Sequence, residues 1–190
     1  MIRAILLAAG QSKRLKGENK LTQKFKNKPL INHAINSLIK SKISKIIVVV
    51  GHDDRKIKKI IKKNKKIIFI LNKKYKSGIS SSIRVGLKKI SKKNKGFIVV
   101  QSDMPFIKSS DINKICNSIK SKKFLVYALK FRNRIGNPIG FDISIVKKFK
   151  KMEGDVGAKF MVKRLKKKTK FIKVLTKRVF KDLDLRKDFN

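Results

Sequence analysis

The sequence predicts an α/β fold, a doubly wound three-layer sandwich with a mostly parallel, Rossmann-like sheet, built by residues 1–190 as one domain. Three observations carry this expectation. Strand-like and helix-like segments alternate along the chain, which implies crossover connections and a largely parallel sheet. Continuous apolar runs such as Ile46 to Val50 suit strands buried on both faces. A length of 190 residues with 41% apolar content is the size of one domain with an ordinary core.

Each element has its own signal. Ile2 to Ala8 reads as a strand, and Pro29 to Lys40 as a helix with Leu30, Ile31, Ala34, Ile35, Leu38 and Ile39 on one face. Ile46 to Val50 is a strand, Asp54 to Lys63 a helix, Ile67 to Leu71 a strand, and Gly78 to Lys92 a helix opened by serines. Phe97 to Gln101 is the next strand, Asp111 to Ser121 a helix capped by Ser110, and Phe124 to Lys130 a strand. The remainder is less regular: a short strand near Pro138 to Phe141, helices around Ile143 to Lys150 and Val156 to Lys167, and a strand at Phe171 to Leu175.

Apolar runs are short and broken by lysines, so no membrane span is expected. The apolar N-terminal stretch superficially resembles a signal peptide, but it leads into a Gly/Ser/Lys/Arg loop that makes chemical sense on a buried first strand, so a cytoplasmic location is expected. The sole cysteine, Cys116, falls with Ile112, Ile115 and Ile119 at helical spacing and reads as core. A formal charge of +42 points by itself to nucleic acid or anionic membrane. Here it is discounted. The basic residues are nine Arg and 44 Lys, spread along the whole chain, with few aromatic residues among them to stack on bases. Lys, Ile and Asn share A/T-rich codons, so base composition explains the profile.

In open α/β sheets ligands sit beyond the carboxyl ends of strands, and the chemistry-bearing segments follow strands here. After the first strand come Ala8, Ala9, Gly10, Gln11 and Ser12, then Arg14 and, a little further on, Asn19-Lys20-Leu21. Small residues let backbone N–H groups approach phosphate oxygens, while Arg14 and Lys20 supply charge where a triphosphate would lie. An ordinary turn on a lysine-rich surface is the plainer reading of the loop alone, since Walker A and GxGxxG spacings are both missing. Asp103, after a buried strand and before Pro105, is conspicuous among only 11 acidic residues and is a candidate metal ligand. Asp155 reads as a second metal ligand or as a helix N-cap. Ser80 and Ser82 read as caps or nucleotide contacts, and Asn72 and Asn137 as loop-fixing or ligand-binding amides. His33 and His52 carry no cluster that suggests zinc.

Taken together, these segments resemble the MobA-like nucleotidyltransferases, and most of all their molybdenum cofactor cytidylyltransferase branch. The resemblance rests on Leu7-Ala8-Ala9-Gly10-Gln11-Ser12-Lys13-Arg14 with Asn19-Lys20-Leu21, and on Asn72, Tyr75, Gly78, Ser80, Ser82 and Gly86. Asp103-Met104-Pro105, Gly136-Asn137-Pro138 and Gly154-Asp155-Val156-Gly157-Ala158 extend it in family order, and Asp182-Leu183-Asp184 with Asp188 resembles its ending. Two differences stand out: Arg14-Leu15-Lys16 replaces the family's Arg-Met-Gly, and Leu185 replaces a threonine.

The resemblance implies a nucleotide-diphospho-sugar transferase type of fold and a Mg2+-dependent transfer of CMP from CTP to molybdenum-molybdopterin, with pyrophosphate released. It implies catalytic roles for Arg14, Lys20 and Asp103. It implies nucleotide contacts from Ala8, Ala9, Gly10, Gln11, Ser12, Asn72, Gly78, Ser80 and Ser82 as well, and metal ligation by Asp103 and Asp155. A molybdenum hydroxylase apoenzyme or its chaperone is the implied partner. A GTP-dependent guanylyltransferase, another sugar- or alcohol-phosphate nucleotidyltransferase, and a basic nucleic-acid-binding protein are the alternatives. Ala8-Ala9, where guanylyltransferases usually carry Ala-Gly, favours CTP.

Overall fold

The computed structural model describes residues 1–12 and 18–183. Strands β1 (Ile2–Ala8), β4 (Lys45–Val50), β5 (Ile67–Leu71), β6 (Gly96–Gln101), β7 (Val126–Phe131), β8 (Arg134–Asp142) and β9 (Thr169–Lys173) form one seven-stranded sheet, in the order β5-β4-β1-β6-β8-β7-β9. A small antiparallel hairpin, β2 (Lys24–Phe25) and β3 (Lys28–Pro29), lies outside it. Neighbouring strands β5, β4, β1 and β6 pair in parallel, as do β7 and β9. Strand β8 runs antiparallel to both its neighbours, so the expected mostly parallel sheet is interrupted by one inverted strand.

Helices cover both faces, giving the three layers that the alternation predicts. One face packs beneath α1 (Leu30–Ile39), α2 (Asp54–Ile60) and α4 (Ser109–Lys120), the other beneath α3 (Ile79–Leu87), α5 (Val146–Lys150) and α6 (Lys159–Arg164). The period-two geometry of a strand divides β1 between the two: Ala4 and Leu6 face the first core, Ile5 the second. Both faces being covered is why these strands read as unbroken apolar runs. Burial of Ile5 and Leu6, each fully enclosed, contributes about 1.5–3 kcal/mol apiece. Under α5, Phe97, Phe141 and Phe149 form an aromatic cluster with centroids 4.9–5.5 Å apart. Gly86 lets α3 approach β1, since a Cβ there would lie 2.5 Å from Ile5 Cγ2.

Several boundaries differ from the sequence expectation, each for a local reason. Helix α2 stops at Ile60, where Ile61 turns extended and the Lys62-Lys63-Asn64-Lys65 stretch offers nothing apolar to bury; the Asn64 side chain instead accepts the Lys66 N–H at 2.9 Å. Helix α3 stops at Leu87, before a turn closed by Asn94 Oδ1, which accepts the Ser91 N–H at 2.9 Å. Ser110 is not the cap of α4. The helix begins a residue earlier, and the Asp111 carboxylate accepts the Lys108 N–H at 3.2 Å. Helix α6 is six residues rather than the twelve from Val156, and β8 is nine residues long because hairpin pairing with β7 extends it beyond its apolar part. On α4, Cys116 is fully buried with Ile112, Ile115 and Ile119, and burial pushes its thiol up to about 11, as a core role requires.

No helix among the described residues is long and apolar enough to cross a membrane. From β1 the sheet grows one way through β4 and β5, and the other way through β6. The order therefore reverses between β1 and β6, and the crevice beyond their carboxyl ends is where such sheets bind ligands.

Candidate active site

A cavity of about 620 Å3 occupies that crevice. Its walls come from the segment after β1 (Ala9, Gly10, Gln11 and Ser12), from Lys20, from the end of β6 (Gln101, Ser102 and Asp103), from the start of α3 (Gly78, Ile79 and Ser82), and from Tyr75, Asp155 and Asp182. The Ser102 hydroxyl donates to the Leu7 carbonyl at 2.6 Å and ties the two strand ends together.

Lys20 is delivered by a small built turn. Ser12 adopts a left-handed backbone (φ 51), and its Oγ accepts the Lys20 N–H at 3.0 Å. Asn19, 4% exposed, accepts the Leu21 N–H through Oδ1 at 3.1 Å and points its Nδ2 at Asp53 Oδ2, 3.4 Å away. These contacts hold the backbone on both sides of Lys20. Its Nζ then reaches Asp103 Oδ2 at 2.6 Å, with both side chains less than one-fifth exposed.

Asp103 is the strongest electrostatic feature of the cavity. Burial pushes its carboxyl above the ordinary value, the Lys20 ammonium opposes that rise, and the charge of Asp182 adds to it. Its Oδ1 is buried with no hydrogen-bond partner among the described residues. An ionised oxygen left so is costly unless a cation or donor arrives to meet it.

The opposite wall is a clasp between two segments far apart in sequence. Gly78 has φ +93, and a Cβ there would stand 2.3 Å from the backbone of Gly154. The Ser80 hydroxyl and N–H both donate to the Gly154 carbonyl, at 2.8 and 3.3 Å, and Arg84 donates to the Met152 carbonyl. Asp155 is thereby set against the first turn of α3, its Oδ1 accepting the Ile79 N–H at 3.3 Å. The N-cap alternative for Asp155 thus takes an unexpected form: the carboxylate meets α3 and not the helix that follows it.

Of the residues singled out from the sequence, Ala9, Gly10, Gln11, Ser12, Lys20, Gly78, Ser82, Asp103 and Asp155 line the cavity together. Ala8 is buried in the core at the end of β1. Asn72 is 1% exposed and donates to Ser81 and Ser82 at 2.9 and 3.0 Å while accepting the Lys74 N–H, so it braces the wall from behind. Ser80 is fully buried in the clasp. Arg14, Asp184 and Asp188 lie outside the described residues. His33 Nε2 lies 2.8 Å from the Phe25 carbonyl oxygen, which accepts from it, and the imidazole packs edge-on against the Phe25 ring, a structural role. Sequence reasoning gave no role to Ser102, and quoted Tyr75 and Asp182 only as motif letters. Asp182 had a signal in its Asp-Leu-Asp run, whereas Ser102 had only its place before Asp103.

The fold and this crevice define a doubly wound α/β domain with a cavity at the reversal point of its sheet, the place where such sheets bind ligands. The sequence matches the MobA-like NTP transferase domain over residues 4–169, and the chain belongs to that family. It is 29% identical over 120 residues to the bifunctional protein GlmU of Caldicellulosiruptor saccharolyticus, an alignment covering 62% of this chain and 26% of that protein. It is also 29% identical over 143 residues to the 2-C-methyl-D-erythritol 4-phosphate cytidylyltransferase of Lachnoclostridium phytofermentans, covering 70% of this chain and 58% of the relative. The chain thus spans about a quarter to three-fifths of these relatives. In fold it is similar to the crystal structure of Rv0371c from Mycobacterium tuberculosis, with TM-score 0.85 and 17% identity over 99% of this chain and 94% of that one. The same mycobacterial protein in complex with manganese gives 0.82 and 15%, over 99% and 95%.

Proposed function

We propose that this protein is a magnesium-dependent nucleotidyltransferase that transfers CMP from CTP to the terminal phosphate of molybdenum-carrying molybdopterin in the cytoplasm, releasing pyrophosphate. The Lys20–Asp103 pair at the sheet's reversal point carries the reading: a held cation and a desolvated carboxylate, in contact at 2.6 Å, together line a cavity of about 620 Å3. In such a transfer an acceptor phosphate oxygen attacks the α-phosphorus, the bond to the β-phosphate bridging oxygen breaks, and pyrophosphate leaves with that electron pair. The nucleophile is already anionic, so the protein's work is positioning and charge neutralisation rather than proton removal. Backbone N–H groups around Gly10 to Ser12 face the phosphates, Lys20 opposes their charge, and Arg14 is assigned the same task.

Among the described residues no cluster of three or more metal-ligating side chains occurs. Magnesium does not need one, because it takes one or two carboxylates plus phosphate oxygens and water. The unpartnered Asp103 Oδ1 fits that requirement, and Asp155 on the facing wall is the second carboxylate. Held there, the ion would neutralise charge on the phosphates. The manganese complex of the mycobacterial protein of this fold accords with a divalent-cation site.

Ala8-Ala9 and the cytidylyltransferase relative favour CTP. That relative's name also supports a second acceptor, an alditol phosphate such as methylerythritol 4-phosphate. A nucleic-acid-binding role finds less support, because exposed lysines stand on both helical layers, at Lys58 and Lys59 on α2 and at Lys147 and Lys148 on α5. The test is pyrophosphate release with magnesium, each NTP in turn, and molybdopterin or methylerythritol 4-phosphate. Release with CTP and molybdopterin is expected; release with no combination overturns the reading.

A further inference from the structure

Two partners compete for the Lys20 ammonium, and two for the Asp103 carboxylate. Nζ stands 2.6 Å from Asp103 Oδ2, whereas the nucleotide reading requires the same group to meet a triphosphate in the cavity that both residues line. Asp103 in turn gives Oδ2 to Lys20, while its Oδ1, buried and with no hydrogen-bond partner among the described residues, is the oxygen that fits a divalent ion. An ammonium and a divalent ion on one carboxylate stand within a few ångströms of each other and repel. Solvent screens them little, since the two side chains are 16% and 17% exposed.

The local structure leaves one part of this arrangement able to move. The backbone around Lys20 is fixed: its N–H donates to Ser12 Oγ at 3.0 Å, its carbonyl accepts the Gln23 N–H at 3.2 Å, and the Leu21 N–H donates to Asn19 Oδ1 at 3.1 Å. Asp103 is held as well, its carbonyl accepting the Leu183 N–H at 3.1 Å, and its carboxylate sits on a single methylene. Lys20 carries its charge on a flexible four-carbon stem. The ammonium can therefore leave the carboxylate for a phosphate while both backbones stay in place.

We propose that Lys20 gates the metal site: it holds Asp103 until a triphosphate draws the ammonium away, so that the ion by itself binds weakly and nucleotide and ion load together. The inference rests on the nucleotidyltransfer reading, which supplies the triphosphate. The pair also serves the fold, because an ammonium on Oδ2 keeps a desolvated carboxylate from standing uncompensated. By linkage the coupling is reciprocal: the factor by which nucleotide tightens the ion is the factor by which the ion tightens nucleotide.

The test is direct metal binding. Manganese is titrated into the full chain with no nucleotide, and the free ion is counted by electron paramagnetic resonance. Lys20→Met and Lys20→Gln both remove the charge, and circular dichroism checks the fold of each. Either variant should bind manganese about tenfold or more tightly than wild type, the worth of a charge-assisted hydrogen bond that no longer competes. Lys76→Met, at an exposed cation lining the same cavity, should change the affinity by less than about twofold, and adding Asp103→Asn to Lys20→Met should abolish the gain. Manganese affinity in the Lys20 variants equal to or below that of wild type overturns the gate. A gain as large in Lys76→Met overturns it too, by showing general relief of positive charge. In parallel, α,β-methylene CTP, which cannot release pyrophosphate, is titrated with magnesium by calorimetry and should bind wild type. Its failure to bind overturns the nucleotidyltransfer reading and this inference with it, whereas a failed manganese result leaves nucleotide binding standing.

Discussion

Lys20 Nζ stands 2.6 Å from Asp103 Oδ2, so a residue of the loop after β1 and one of the turn after β6 close on each other across the line where the sheet reverses. Both ends of the pair are largely desolvated, and each has a different duty. In the proposed reaction Lys20 opposes phosphate charge; Asp103 has one oxygen on Lys20 and another with no partner among the described residues.

Asp103→Asn should fold normally and lower magnesium-dependent turnover by about 10²-fold or more, because an oriented charge at the reacting phosphates is worth several kcal/mol. Near-normal turnover in the variant removes Asp103 from the chemistry. Circular dichroism checks that the fold is retained.

Lys20→Ala should lower kcat/KM by about 10²-fold, whereas the same change at the remote, exposed Lys62 or Lys122 should have little effect. Equal, small losses at all three positions would show that Lys20 belongs to the general lysine surface.

Lys20→Met also has a signature in stability. Burial raises the Asp103 carboxyl above its ordinary value of 3.8, and Lys20 restrains that rise. Removing Lys20 lifts the folded-state value further. A carboxyl so shifted leaves its stability in place below 3.8 and loses it as pH rises through the folded value. The variant's deficit in Tm relative to wild type should therefore widen from acid towards neutral pH. A deficit independent of pH would show that Asp103 does not depend on Lys20 for its charge.

Asn19→Ala should cost about 1–2 kcal/mol of stability by stranding the Leu21 N–H beneath a buried side chain. It should also lower kcat/KM by less than Lys20→Ala, since the ammonium survives but its backbone support is loosened. Urea denaturation and steady-state kinetics read the two effects separately.

Gly78→Ala should destabilise on the order of 2 kcal/mol or more, because it combines a φ of +93 with a Cβ driven against Gly154. Retention of wild-type Tm would mean that the two segments part without cost.

The sheet was legible because its strands are apolar runs bounded by polar turns: the Ile2–Ala8 bounds of the central strand β1 and the Ile67–Leu71 bounds of the partly buried edge strand β5 are both unchanged between sequence and structure. Inversion of β8 was not legible. Its residues Pro138 to Phe141 read only as a short strand, and direction is set by a two-residue turn at Arg132 and Asn133 that pairs it with β7. Lys20 and Asp103 could be chosen by their positions after strands, but their contact spans 83 residues and no local pattern encodes it. Ser80 and Asn72 carried the same motif letters as Ser82, yet they face inward. Which hydroxyl of a serine run meets the cavity depends on the rotation of α3 against Gly154, and that is a tertiary property.

The clasp between Gly78 and Gly154 carries a dynamic consequence. The amides of Ile79 and Ser80 are held by acceptors 76 and 74 residues away, so neither segment can open without releasing the other. In hydrogen exchange they should behave as one cooperative unit, with the protection of Ile79 and Ser80 rising and falling with that of the 152–155 segment. Fluctuation of this wall would then be an event shared between the middle of the chain and its last third.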